Sequence, residues 1–283
     1  MRIPLLVASL AVATSVVAET NTPVDLYPSG LKQTVRIGED LYCTLDDNLA
    51  RKLNPETVVV QAEPTPYIKP KADARGGVCR IAVSTGFVKL LDHIARAKAV
   101  DREKSGYLRA YIEALQQPEA ATNPPAPPEP PEAKFHSEEM HSYQAGLFNQ
   151  MIGMTLALNY AQEYLDHCDK YKAQMASGLP LPLNDYLGDR DWEESVVYAT
   201  VNSLDCALGT EGSRTLFEVV RQMRERPAWA DYIVPPAVNI RKLERQLSHY
   251  EYQYFHGDKA LRRRLTRVSD ASSGPRLLVN GTR

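Results

Sequence analysis

Residues 143–173 read YQAGLFNQMIGMTLALNYAQEYLDHCDKYKA, with Leu147, Met151, Met154, Leu158, Ala161 and Leu165 at steps of 4, 3, 4, 3 and 4. That spacing is the period of one helix face, so the run is expected to be a long helix turned toward a core. Gln144, Gln150, Asn159, Gln162 and Glu163 fall around the edges of the stripe, and the methionines suit irregular gaps within it. Gly178 to Pro182 is expected to end the helix.

Working back from this helix, residues 57–61 (TVVVQ) and 76–84 (GGVCRIAVS) read as two strands, the second alternating Val78, Arg80 and Ala82 against Cys79, Ile81 and Val83. Pro64, Pro66 and Pro70 predict an irregular connection between them. Residues 19–31 read as an extended lead-in, and 34–49 as mixed. Ser84 or Thr85 is placed to cap a helix beginning at Phe87, whose Leu90, Leu91 and Ile94 repeat at helical spacing. Residues 106–117 continue as helix. The tract at 123–132 (NPPAPPEPPE) lies in a proline-rich insertion over 118–134 and is expected to stay extended as a spacer.

Beyond the long helix, residues 191–208, 213–226 and 238–255 read as three more helices. The last places Leu243, Leu247, Tyr250 and Tyr254 on one face, and carries an aromatic patch of Tyr250, Tyr252, Tyr254 and Phe255 flanked by His249 and His256. Two strands and a helix followed by helices alone predict an α+β fold, with a small sheet packed on a predominantly helical bundle around one long central helix.

Residues 1–18 have the form of a secretory signal: Arg2, an apolar run, then small residues before a cleavage point near Ala18. The run is shorter than the roughly 20 residues that span a bilayer, so the expectation is a secreted or periplasmic protein without a membrane span. Residues 19–256 would form one domain, and 257–283 a disordered tail. The net charge of −2 offers no footing for nucleic acid or an anionic membrane. Export makes disulfides the default for Cys43, Cys79, Cys168 and Cys206, with Cys43–Cys79 and Cys168–Cys206 the preferred pairing of the three possible. A zinc site built from all four lacks the close ligand pairs such sites favour.

The run from Gly76-Gly77-Val78 to Val83-Ser84-Thr85-Gly86-Phe87-Val88-Lys89-Leu90-Leu91-Asp92 resembles the entry to the active-site region of the minigluzincin metallopeptidases, the group of the CAAX prenyl endopeptidases and their exported bacterial relatives. The resemblance covers about residues 74–208 and implies a zincin-like fold. It implies a later helix bearing H-E-x-x-H and a further glutamate as the third zinc ligand. Two histidines one turn apart face one zinc, and the glutamate beside the first activates a bound water. At the matching positions this chain has Leu158, Asn159 and Gln162, while Glu193 or Glu194 matches the third ligand. Leucine binds no zinc, and neither amide takes a proton at neutral pH.

The leading expectation is therefore an exported, catalytically inactive peptidase-like protein, without a cofactor, that binds a protein or peptide. Its binding edge would be the strand carrying Gly76, Val78, Arg80, Ala82 and Ser84, which would hold a peptide by strand addition. The alternative is a zinc-dependent metallopeptidase with unusual ligands drawn from His136, His141, His167, Glu193 and Glu194. A third is a structural envelope protein.

Overall fold

A computed structural model describes residues 26–45, 58–72, 79–128, 130, 137–164, 189–234 and 238–256. The expected signal segment, the 257–283 tail, Gly76, Val78, His136, His167 and Cys168 lie outside these residues, as does the side chain of Cys79.

The chain opens with α1 (Tyr27–Cys43), where a lead-in and a mixed segment were expected. Its buried face is Gly30, Thr34, Ile37, Gly38 and Leu41. The spacing is helical but the stripe is small and partly polar, so hydrophobicity alone does not reveal it. The small residues are what α1 needs to lie close to its neighbours.

Strands β1 (Val58–Gln61), β2 (Ile68–Ala72) and β3 (Cys79–Ser84) follow. β2 replaces part of the expected irregular connection. Pro70 has no N–H to give a ladder, yet an edge strand accommodates it, and β2 is an edge: the order is β1-β3-β2, with β1 parallel and β2 antiparallel to β3. Lys69 and Lys71 flank Pro70 on that strand, a composition that discourages further strand pairing.

β3 runs directly into α2 (Thr85–Glu103). Ser84 caps the helix as expected, its Oγ accepting from the Phe87 N–H at 3.0 Å and also from the Tyr67 N–H at 2.9 Å. Gly86, in the first turn, has no room for a side chain, since a Cβ there would stand 1.8 Å from the Pro64 carbonyl oxygen.

After α3 (Tyr107–Leu115) and a 3₁₀ turn (Pro118–Ala121), the proline tract is extended but not free. Pro124, Pro127 and Pro130 are buried, while Pro125, Ala126 and Pro128 are exposed. A polyproline II helix has three residues per turn, so one of its edges is seated on the domain. The Tyr111 hydroxyl fixes it by donating to the Pro125 carbonyl at 2.9 Å.

The long helix, α4 (Glu138–Tyr164), begins five residues before its expected start and takes in His141. It packs against α1, α2, α5 (Asp189–Asp205) and α6 (Glu211–Gln222). The short α7 (Ala228–Asp231) leads to α8 (Ile240–Phe255), which rests on α5 and α6. The architecture is α+β: a three-stranded sheet beside a mostly helical body whose core continues from Ile81 and Val83 through α2 and α4 to Leu243 and Leu247. Among the described residues, no helix is long and apolar enough to cross a membrane.

Candidate functional site

Leu158, Asn159 and Gln162, the positions expected to correspond to the ligands and base of a zinc peptidase, sit inside the core. Every residue from Met151 to Gln162 is buried, on all sides of α4. Leu158 is 2% exposed among other apolar side chains, and Asn159 turns its amide onto its own helix, donating to the Thr155 carbonyl at 2.8 Å. Gln162 is also buried. These side chains do not fit a catalytic zinc: one has no donor atom, and the amide of Asn159 is committed to backbone.

The expectation that the polar residues of α4 lie at its edges is corrected. Gln144 is 4% exposed and donates to Asp92 Oδ1 of α2 at 2.8 Å. The Gln150 side-chain oxygen accepts from the Gly212 N–H at 2.7 Å, where α6 comes so close that a Cβ on Gly212 would lie 2.5 Å from the Leu147 carbonyl oxygen. Tyr160 donates to the Gly38 carbonyl of α1 at 2.9 Å. Gln144, Gln150 and Tyr160 thus each join α4 to a different neighbour, and these bonds offset the cost of taking their polar atoms from water. Beside Asp92, His93 meets the ring of Tyr111 edge-on at 6.4 Å. Burial first, then the Asp92 charge, raises the Tyr111 hydroxyl far above its ordinary value, so it remains a neutral donor to the proline tract.

Of the remaining candidate ligands, those among the described residues, His141, Glu193 and Glu194, are not brought together. His141 lies in the first turn of α4. Glu193 pairs with Lys242 of α8, and Glu194 with Arg190 at 3.0 Å. Among the described residues, no three histidine, cysteine or acidic side chains converge on a metal-sized point.

The proposed peptide-holding edge is also corrected. β3 is the middle strand, paired with β1 over Ile81–Ser84 and with β2 over Cys79–Val83, so the strand of Arg80, Ala82 and Ser84 is not a free edge. Ala82 is fully buried and the Ser84 hydroxyl serves as the cap of α2. Cys43 and Cys206 carry free thiols; the partner expected for each, the thiol of Cys79 and that of Cys168, lies outside the described residues.

The surface that stands open is the outer face of α8. Ile240, Leu243, Leu247 and Tyr250 face inward, while Arg241, Arg245, Ser248, Tyr252 and Phe255, again at steps of 4, 3, 4 and 3, face solvent. Tyr252 is 62% and Phe255 67% exposed, the large apolar residues most open to water among the described residues. His256 stacks on Tyr252 at 4.0 Å between ring centres. The acids of the same helix are used inward: Glu244 accepts from Arg221 of α6 at 3.2 Å, and Glu251 pairs with Arg214 of α6. Arg241 and Arg245 have no ion-pair partner among the described residues. Among the described residues, the face thus carries two cations without a partner at one end and two aromatic rings at the other.

At the cationic end a recess of about 290 Å³ opens between α6 and α8, with Val220, Met223 and Ile240 as apolar lining and Arg221, Arg226 and Arg241 around it. Arg226 is bound to Asp231 at 3.2 Å and to the Val234 carbonyl, and Arg221 to Glu244, which among the described residues leaves Arg241 as the cation free to meet an incoming carboxylate. Sequence reading finds the aromatic residues but not Arg241 and Arg245. Their helical phase with Tyr252 and Phe255 is legible, whereas the inward use of Glu244 and Glu251 is not.

The chain matches no protein-family profile, no curated protein and no solved structure.

Proposed function

We propose that this is an exported, non-catalytic protein on a peptidase-like scaffold, and that it binds an acidic protein or peptide through the outer face of α8. The observation that carries the reading is the α8 stripe: Arg241 and Arg245 without an ion-pair partner among the described residues, Tyr252 and Phe255 exposed, and the helix's own acids turned inward. Exposed aromatic and arginine side chains are the residue types that dominate binding energy at protein interfaces, and the uncompensated positive charge selects an acidic partner. The non-catalytic part is supported by Leu158, Asn159 and Gln162, whose side chains supply neither a zinc ligand set nor a base.

The experiment is titration of the full chain with a labelled peptide of alternating glutamate and leucine, repeated over a salt series. Binding that weakens as salt rises, and at least tenfold in an Arg241→Glu/Arg245→Glu variant, is the expected result. No binding, or binding indifferent to both changes, rejects the face. Preference for phosphatidylglycerol vesicles over the peptide would move the reading to a membrane surface. Stoichiometric zinc in the purified protein, with hydrolysis lost to a chelator, would overturn the non-catalytic assignment.

A further inference from the structure

We propose that Cys43 and Cys206 are disulfide partners, and that their bond staples the end of α1 to the end of α5. The two thiols are free in the structure, but their surroundings bring them to the same place. Cys206 Sγ lies 3.4 Å from the Asp40 carbonyl oxygen and 3.2 Å from Thr44 Oγ1, residues that bracket Cys43 on the last turn of α1. The neighbouring turn of α5 holds the same spot: Asn202 Nδ2 donates to Thr44 Oγ1 at 2.7 Å and to the Leu41 carbonyl at 3.2 Å. The two helix ends are therefore registered by three side chains before any covalent bond forms. Cys43 is exposed at a helix terminus, where its side chain is free to change rotamer toward Cys206. This pairing differs from the sequence-based preference, which joined each of these cysteines to another partner.

The chemistry needs an oxidant of the disulfide class, for which oxidised glutathione serves. Burial pushes the Cys206 thiol up to about 11, so exposed Cys43 reacts first. Its thiolate attacks one sulfur of the oxidant, breaking that S–S bond and releasing one glutathione thiolate. Cys206 then loses its proton to solvent and attacks the Cys43 sulfur, releasing the second glutathione. Two protons and two electrons pass from the cysteine pair to the oxidant. Because the bond closes a loop that contains the sheet and α4, it restricts the unfolded chain heavily.

The test is incubation of the native full chain with oxidised glutathione, blocking of residual thiols, and tryptic digestion without reductant. The expected product joins residues 37–51 to 191–214, two hydrogens lighter than the separate peptides. The oxidised protein should melt about 5 °C or more above the reduced protein, a difference absent from both Cys43→Ser and Cys206→Ser. Linkage of Cys43 to Cys79 or of Cys206 to Cys168, or retention of both thiols in an alkylatable form, would overturn the assignment. The digest of the unmutated protein decides the matter even where a serine variant fails to fold.

Discussion

Helices α4 and α8 are built from the same apolar spacing and meet opposite fates. In α4, residues 151–162 are buried on every side, so Thr155, Asn159 and Gln162 are as far from water as Leu158. In α8 one face is buried, and the other carries cations and aromatics into solvent. Leu158, Asn159 and Gln162, expected at the positions of zinc ligands and base, are on the first helix and buried. The residues fit for recognition are on the second. A helix enclosed by four others can specify a fold, and a helix with a spare face can meet a partner.

The largest break in this contrast should come from truncating α4. Leu158→Ala removes most of a fully packed side chain from a site held on all sides, which costs about 3–4 kcal/mol of stability, and should leave peptide affinity for α8 within twofold. Chemical denaturation alongside the peptide titration checks both. A loss below about 1 kcal/mol would mean that the interior of α4 is looser than its burial implies. Gln144→Leu should follow, costing about 2 kcal/mol: the shape is kept but the Asp92 carboxylate loses a donor within the core. If instead Gln144→Leu is neutral, Asp92 draws its compensation from elsewhere.

Buried tyrosines sharpen the contrast through pH. Tyr111 and Tyr160 are raised well above 10, in both cases chiefly by burial; the Asp92 charge adds at Tyr111, the nearby Cys206 thiol at Tyr160. Above pH 10 the unfolded chain releases these protons and the folded chain keeps them, so stability is complete below pH 10 and falls as pH rises beyond it. Each group costs about 1.4 kcal/mol at pH 11 by that linkage. Tyr160→Phe should be about 1 kcal/mol less stable at pH 7, for want of its bond to the Gly38 carbonyl, yet lose less between pH 9 and 11 than the unmutated chain. Equal alkaline losses would show that Tyr160 ionises in the folded state.

How much of this was legible follows from what each feature asks of the sequence. The 4-3-4-3 stripe of Leu147, Met151, Met154 and Leu158 announces α4, and Ser84 announces the cap of α2, because both are local signals. α1 was missed because its inward stripe runs through Gly30, Thr34 and Gly38, residues chosen for close approach to Phe148 and Val58. β2 was missed because Pro70 reads as a breaker until the strand is known to be an edge. The peptide-holding edge was misplaced for the same reason: without β2, β3 is an outer strand; with it, β3 is central. The α8 face was half legible. Its aromatics stand out, but its net charge depends on Glu244 and Glu251 pairing with Arg221 and Arg214 across a helix contact.

The smallest effect on stability should come from the face argued to matter most for binding. Tyr252 and Phe255 are about two-thirds exposed, so truncating both to alanine removes little buried area and should change the unfolding free energy by no more than about 0.5 kcal/mol. The same double change removes both large apolar contacts of the stripe and should weaken the glutamate–leucine peptide at least tenfold, as loss of aromatic anchors does at interfaces. His256 will lose its stacking partner, which serves as an internal check that the substitution was felt locally. Tyr254→Phe is the matched control. It lies on the same turn, but its hydroxyl is turned to Asp205 at 2.7 Å, so it should alter stability slightly and affinity not at all. Should Tyr254→Phe weaken binding as much as the double change, the contact lies along the α5–α8 seam instead of the outer stripe. The division between a helix that folds and a helix that recognises would then have to be drawn within α8 itself.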